Sequence, residues 1–124
     1  MHNTVDISTL KGLTITSISG ANIDSCSVVI KTLEGNSFEM MHSQDCCEHV
    51  SVHSVLGDVQ SIIGSPVILV GEGDEPTELN LEYEPDSHTW TIYRIETKRG
   101  YLQINWLGVS NGYYGETVDF IQIS

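Results

Sequence analysis

Basic residues are scarce in this sequence. The 124 residues include five lysine and arginine residues against 17 aspartate and glutamate residues, which gives a formal net charge of −12. A protein that binds nucleic acid without sequence preference needs a broad basic surface that displaces counterions from the phosphates. The composition therefore excludes that class and predicts no direct contact with nucleic acid. It permits the opposite class, in which an acidic protein imitates nucleic acid and binds a basic partner.

Long apolar runs are absent as well. No window approaches the about 18 consecutive apolar residues that a membrane span needs, so we expect no membrane contact. Residues 1–6 contain neither the basic nor the apolar region of a secretory signal. The 40% hydrophobic content suffices for the core of a single domain over residues 1–124. Within that domain, residues 71–86 are strongly acidic and contain two prolines, which predicts a mobile loop.

Cysteines are few and unevenly placed. Cys26, Cys46 and Cys47 are an odd number, and two of them are adjacent. Small secreted domains have even sets of cysteines at spread spacings, which pair as disulfides. The pattern therefore predicts reduced thiols and a cytoplasmic protein.

The hydrophobic pattern has mostly the two-residue period of β-strands. Strands are predicted over residues 13–19, 26–33, 37–41, 49–55, 67–70, 89–97, 101–107 and 117–123. One short helix is predicted at residues 58–63, where Asp58 is a suitable N-cap and Gly64 follows the last turn. Short turns join the strands, so we predict a mainly β (β-rich α+β) fold of antiparallel sheets with about seven or eight short strands.

Histidine and cysteine residues cluster in the segment MHSQDCCEHVSVH, residues 41–53. A metal site there would use His42, Cys46, Cys47 and His49, and a thiol enzyme would use one of the cysteines. Adjacent cysteines in an extended chain point to opposite sides, and the paired spacing of structural zinc sites is absent. The acidic neighbours also disfavour a thiolate. We therefore predict no metal, no cofactor and no catalytic residue, and the enzyme remains an alternative.

Aromatic and basic residues gather in the C-terminal half. Three of the five basic residues fall in one predicted hairpin, among several tryptophan and tyrosine residues, and a polar-aromatic loop follows at residues 110–115. Aromatic rings can stack on a base while cations bind a phosphate, although such aromatics are also common in β-sheet cores. The candidate ligand-binding residues are Trp90, Arg94, Lys98, Arg99, Tyr101, Trp106, Ser110, Asn111, Tyr113, Tyr114, His42, Gln44 and Asp45.

Two blocks, QDCCE at residues 44–48 and SNGYY at residues 110–114, resemble a group of small, poorly characterised proteins encoded by bacteriophages and prophages. The resemblance also includes residues 57–58, 63–66 and 89–91, and extends from about Lys11 to Phe120. It implies a phage accessory protein in the host bacterial cytoplasm. Small phage proteins of this kind often inhibit host immunity.

Two anti-defence functions fit this setting. The one we favour from the sequence is a sponge, which binds and sequesters a small nucleotide-derived immune signal without catalysis. The alternative is an acidic nucleic-acid mimic that binds and inhibits a host defence protein. Exposed strand edges and many tyrosines also lead us to expect a homo-oligomer.

Overall fold

The computed structural model describes residues 3–44, 47–71, 73, 85–112 and 114–124. These residues form nine strands: β1 (Asn3–Thr4), β2 (Ile15–Ser19), β3 (Ser27–Thr32), β4 (Ser37–Met41), β5 (His49–Gly57), β6 (Leu69–Gly71), β7 (Ser87–Thr97), β8 (Gly100–Ser110) and β9 (Asp119–Gln122). A 3₁₀-helix covers Ile7–Leu10 and the helix α1 covers Val59–Ile62. No helix of the described residues is long and apolar enough to cross a membrane.

The strands form two antiparallel sheets, in the orders β1-β9-β4-β3-β2 and β5-β8-β7-β6. The prediction of a mainly β, antiparallel fold with one short helix near residues 58–63 is confirmed. Asp58 is the N-cap of α1, where its side chain accepts a hydrogen bond from the Gln60 amide at 3.0 Å. The two-residue strand β1 was not predicted, because so short a segment carries no detectable alternation.

The last three strands do not form one continuous antiparallel run. The strands β7 and β8 form a hairpin, from the Ser87–Ser110 pair to the Thr97–Gly100 pair. The strand β9 instead pairs with β4 and β1 in the other sheet. Because β5 already occupies the second edge of β8, no edge remains there for β9. Residues 111–118 therefore cross from one sheet to the other.

The hydrophobic core lies between the sheets. A single cluster of buried side chains includes Phe38 and Phe120 from the first sheet and Ile95 and Trp106 from the second. The rings of Phe38 and Phe120 stack with centroids 5.2 Å apart. The two sheets thus pack as a sandwich, with one face of each directed inward.

The edges of the second sheet differ in how they are covered. At β5, the Val52 amide and carbonyl both bond to the loop at residues 24–25, each at 2.8 Å. At β7, the strand β6 pairs only with Arg94, Ile95 and Glu96. Among the described residues, no strand pairs with residues 87–93 of β7 on that side. Residues 89–93 of β7 line a cleft between the sheets.

Candidate functional site

A cleft with a volume of about 640 Å³ lies between the sheets. Its walls are residues 4–8, 89–93 and 117–120, with Val70, Gly71 and Gly73 at one end. The segments are distant in sequence, and they meet because β1 pairs with β9 in one sheet while β7, next to the short edge strand β6, faces them from the other sheet.

The charged side chains among the described residues of this cleft are both acidic. Asp6 and Asp119 line it, and none of the described lining residues is a lysine or an arginine. The Asp6 carboxylate accepts a hydrogen bond from the Ser8 amide at 2.8 Å, and this bond lowers the pKa of Asp6. The Tyr93 hydroxyl donates to the Val118 carbonyl at 3.1 Å. The cleft is therefore electronegative at neutral pH.

The pKa of Tyr93 reflects both the burial of its ring and the negative charge of the cleft. Burial, then the charges of Asp119 and Asp6, raise the pKa of Tyr93 to about 12. The phenol accordingly remains neutral and acts as a hydrogen-bond donor, while the two carboxylates carry the charge of the cleft. A cation or a hydrogen-bond donor fits such a cleft better than a phosphate does.

The three predicted phosphate-binding cations do not converge. Arg94 lies in β7, whereas Lys98 and Arg99 are exposed in the turn that follows it. Four residues of extended chain separate Arg94 from Lys98 by about 13 Å. The Arg99 guanidinium donates from Nη1 to the Ile63 carbonyl, at the C-terminal end of α1, at 3.2 Å. Arg99 therefore holds the short helix against the hairpin turn.

Arg94 is held by three neighbours on the outer face of the second sheet. Its Nε donates to Glu96 at 3.0 Å, and its Nη1 donates to the Gln103 side-chain oxygen at 3.1 Å. The guanidinium carbon lies 4.0 Å from the centre of the Tyr101 ring. Arg94 thus lies beside one of the predicted aromatic residues, and Glu96 already balances its charge.

A chain of hydrogen bonds continues from Arg94 across three strands. The Gln103 amide nitrogen donates to Asn105 at 2.9 Å, and the Asn105 amide nitrogen donates to the Ser54 hydroxyl at 2.9 Å. Gln103 and Asn105 are 4% and 1% exposed. Buried amides stay in a fold only when they are hydrogen-bonded, so this chain, the outer-face network, fixes the guanidinium in one orientation.

The two predicted tryptophans lie on opposite sides of the second sheet. Trp90 lines the cleft, and its ring packs edge-on against His53 with centroids 4.9 Å apart. Trp106 is fully buried in the hydrophobic core. Trp106 is therefore a core residue and not a surface for a ligand, because its side chain points to the inner face of β8.

Cys47, Ser110 and Asn111 line one pocket at an end of the sandwich, close to His42 and Gln44. His42 donates from Nδ1 to the Thr117 carbonyl at 2.7 Å and from Nε2 to Glu48 at 2.6 Å. The Gln44 amide nitrogen donates to the Glu48 carbonyl at 2.6 Å. Both ring nitrogens of His42 face acceptors, an arrangement that only the imidazolium form satisfies.

The pKa of His42 reflects this pairing. Burial alone lowers it, but the hydrogen bonds to Glu48 and Thr117 and the nearby carboxylate charges outweigh burial. The net result is a pKa above the ordinary value of 6.5. The ion pair is shielded from water, since the side chains of His42 and Glu48 are 9% and 0% exposed.

A second buried carboxylate, Glu116, lies next to Thr117 in the same part of the fold. It accepts hydrogen bonds from Thr89, at 2.8 Å, and from Ser110. Burial alone would raise the pKa of Glu116. Hydrogen bonds from Ser110, Thr89 and Ser87, together with the charge of His88, outweigh burial, so the net pKa is lowered from 4.5. We call Glu48 and Glu116, with their partners, the end cluster.

A smaller pocket of about 290 Å³ opens beside the end cluster. It is lined by Cys47, His49, Pro85, Asp86, Val109, Ser110 and Asn111. The structure thus brings together four predicted site residues, His42, Gln44, Ser110 and Asn111, around this end of the sandwich. Tyr114 is partly exposed in the loop that follows. Asp45, Cys46 and Tyr113 lie outside the described residues, as does most of the predicted acidic loop at residues 71–86.

The cysteines differ from the prediction. Cys26 is an exposed thiol, whereas Cys47 is disulfide-bonded. The expectation of three reduced thiols is therefore wrong at Cys47, so the cysteines no longer support a cytoplasmic location. Among the described residues, no three histidine, cysteine or acidic side chains are grouped so that they could hold a metal ion.

Sequence reasoning missed the carboxylates of the cleft. Asp6 has a local signal, since an aspartate two residues before a serine often caps a helical turn. Asp119 has no local sequence signal, because its place in the cleft depends on the pairing of β9 with β4 in the first sheet. Glu116 was missed for the same reason, as its partners Thr89 and Ser110 belong to β7 and β8.

The chain belongs to the family described as a domain of unknown function, DUF7448, which it matches over residues 8–120. No curated protein and no solved structure matches it. The matched range contains the end cluster and two walls of the cleft, whereas most of the wall at residues 4–8 precedes it.

Proposed function

We propose that this protein is a non-catalytic acidic inhibitor that binds a basic surface of a partner protein. In the phage setting that the sequence resemblance implies, the partner is a host defence protein in the bacterial cytoplasm. The disulfide at Cys47 and the engagement of both His42 nitrogens support a role without catalysis, because neither group is poised as a nucleophile or a base.

The distribution of positive charge carries this proposal. All five lysine and arginine residues fall within the described part of the chain. Arg94 is balanced by Glu96, and Arg99 is bonded to α1. Two carboxylates face the cleft between the sheets, and the net charge is −12. A field of this sign steers a protein towards basic surfaces, including those that bind nucleic acid.

A plaque assay with matched variants tests the proposal. Bacterial strains that each carry one defence system are infected while they express the protein. We expect the wild-type protein to restore plaques on a strain with a susceptible system. The double variant Asp6→Asn/Asp119→Asn, which removes two charges from the cleft, should restore fewer.

The control is Asp24→Asn/Asp58→Asn, which removes the same charge away from the cleft. Asparagine tolerates the positive φ of 70° at Asp24 and can replace Asp58 as the N-cap. Equal loss in both double variants would indicate dependence on total charge alone. Plaque restoration that survives both would contradict the proposal.

The sponge is the second candidate, and the size of the cleft favours it. A volume of about 640 Å³ lies in the range of small-molecule sites, and Trp90 and Tyr93 could contact a base. A nucleotide bound there would be held through its base and ribose, because the described lining provides no cation for its phosphates.

A direct measurement separates the two candidates. A ligand at a hundredfold excess over Kd stabilises the folded protein by about 2.7 kcal/mol, which a thermal shift detects. A shift with one nucleotide, recovered intact after denaturation, would establish the sponge and contradict the inhibitor proposal. In infected cells, a sponge lowers the free immune nucleotide in a protein-free filtrate, whereas an inhibitor of a downstream protein leaves it unchanged.

The expected homo-oligomer stays a prediction. Sedimentation velocity at micromolar concentration would test it, and a profile with monomer alone would contradict it.

A further inference from the structure

We infer that the disulfide at Cys47 joins this residue to the adjacent Cys46 and is a reversible redox site, opened by a small thiol, that controls how firmly the end cluster is held. This property goes beyond the proposed function and does not depend on it.

The partner of Cys47 follows from a count of the cysteines. The chain contains Cys26, Cys46 and Cys47. Cys26 is a free thiol, and Cys47 is disulfide-bonded. Cys46 lies outside the described residues, and elimination identifies it, because it is the one other cysteine that the chain can offer to Cys47.

A disulfide between adjacent residues contributes little to the stability of a fold. Disulfides stabilise mainly by restricting the unfolded chain, and the effect grows with the length of the loop that they close. Adjacent residues close the shortest loop possible. Consecutive Cα atoms lie about 3.8 Å apart, whereas the Cα atoms of ordinary disulfides lie about 4.4–6.8 Å apart, so the bond is more easily reduced. The bond at Cys47 therefore suits a redox site better than a structural crosslink.

The position of Cys47 favours reaction with a thiol. Cys47 is exposed, and it lines the pocket of about 290 Å³ beside the end cluster, together with His49 and Asn111. A small thiol compound can therefore reach the sulfur from the pocket. Exposed disulfides are typically the labile and regulatory ones, and those of cytosolic proteins usually serve redox sensing or catalysis.

The residue after Cys47 connects the disulfide to the end cluster. The carbonyl of Glu48 accepts a hydrogen bond from the Gln44 side chain at 2.6 Å, and its carboxylate accepts one from His42 Nε2 at 2.6 Å. The bond from Gln44 to Glu48 thus closes a segment of the chain that contains both adjacent cysteines. Reduction gives this segment more conformational freedom, so the buried ion pair at its end should be held less firmly.

The reaction balances with two molecules of a small thiol such as glutathione. The thiolate of the first attacks one sulfur of the disulfide, which forms a mixed disulfide and releases the other cysteine to take up a proton. The second thiol attacks the mixed disulfide, so that an oxidised small disulfide leaves and the remaining cysteine is protonated. Two electrons pass to the protein, and oxidised glutathione reverses both steps.

Glutathione provides the first test. The purified chain, prepared without reductant, is incubated in its folded state with reduced glutathione, then denatured and alkylated, and intact mass gives the number of alkylated cysteines. We expect one before treatment, at Cys26, and three afterwards. The matched variant Cys26→Ser should give none and two. Oxidised glutathione should return both proteins to their starting values.

Thermal unfolding tests the connection to the end cluster. Reduction should lower the melting temperature of the wild type by at least about 2 °C. The double variant Cys46→Ser/Cys47→Ser, which cannot form the bond, should melt like the reduced wild type and should not respond to glutathione. In His42→Gln, which lacks the ion pair, the shift on reduction should be at most about half as large, because the effects of coupled sites are not additive.

Four results would overturn the inference. Three alkylated cysteines before treatment would show that no disulfide forms, and a covalent dimer on a non-reducing gel would show that Cys47 pairs with a second copy. Resistance of the folded protein to glutathione would make the bond a structural crosslink. Equal shifts on reduction in the wild type and in His42→Gln, including no shift in either, would separate the bond from the end cluster. The plaque assay with the Asp6 and Asp119 variants is independent of all four, so the proposed function would stand.

Discussion

The carboxylates of the end cluster and those of the cleft have the same chemistry in opposite surroundings. Glu48 and Glu116 are 4% and 6% exposed, and each accepts hydrogen bonds from neighbouring side chains. Asp6 and Asp119 border open space between the sheets. A buried charge is tolerated only with matched partners, so the acids of the end cluster are tied to the stability of the fold. The acids of the cleft are available to a partner.

Removal of the histidine of the end cluster should have the largest effect on stability. His42→Ala takes from the buried Glu48 its ion-pair partner, and we expect the free energy of unfolding to fall by about 3 kcal/mol. Urea denaturation followed by tryptophan fluorescence measures the change. His42→Gln, which keeps one donor, should cost less. If both variants matched the wild type, the pair would not contribute to the fold.

Removal of Glu116 should have the next largest effect. Glu116→Ala leaves the hydroxyls of Thr89 and Ser110 without their acceptor in a buried place, and we expect a loss of about 2 kcal/mol. Glu116→Gln keeps the shape and one acceptor oxygen and should recover part of that loss. Thermal unfolding of the two variants at the same pH would show the difference. A smaller loss of stability for Glu116→Ala than for Glu116→Gln would contradict the role of Glu116 as the buried acceptor for Thr89 and Ser110.

The two parts of the end cluster should respond to pH with opposite signs. The pKa of His42 is raised, so its stabilisation is complete below pH 6.5 and is lost as pH rises through the higher pKa of the folded state. The pKa of Glu116 is lowered, so its stabilisation is complete above pH 4.5 and is lost as pH falls through the lower folded value.

The contribution of the end cluster to stability should therefore be greatest between about pH 4.5 and pH 6.5. Melting temperatures from pH 3 to 9 check this expectation. His42→Gln should flatten only the alkaline side of the profile, and Glu116→Gln only the acidic side. A variant that changed the other side would show that a different group controls it.

The sequence was most informative where the structure is local. Alternation located eight of the nine described strands, and the Asp58 N-cap located α1. The hairpin of β7 and β8 followed from its short turn at Lys98 and Arg99. Pairing between distant segments left no comparable signal, and for that reason the pairing of β9 with β4 and β1 could not be predicted.

The candidate site shows the same limit. Arg94, Lys98 and Arg99 are close in sequence, which suggested one cationic pocket. An extended strand separates residues by about 3.3 Å each, and the structure uses Arg94 and Arg99 for different contacts. The cleft is built from residues 4–8, 89–93 and 117–120, and only the topology of the two sheets brings them together.

The smallest effect on stability is expected for a carboxylate of the cleft. This variant tests directly whether the acids of the cleft differ from those of the end cluster. Asp119→Asn changes a partly exposed carboxylate, and we expect the free energy of unfolding to stay within about 0.5 kcal/mol of the wild type. The same change should reduce plaque restoration on a strain with a susceptible defence system, because it removes a charge from the cleft. Urea denaturation and the plaque assay give the two results. A loss of stability comparable to that of Glu116→Ala would mean that Asp119 belongs with the structural acids, and the division between the two regions would fail.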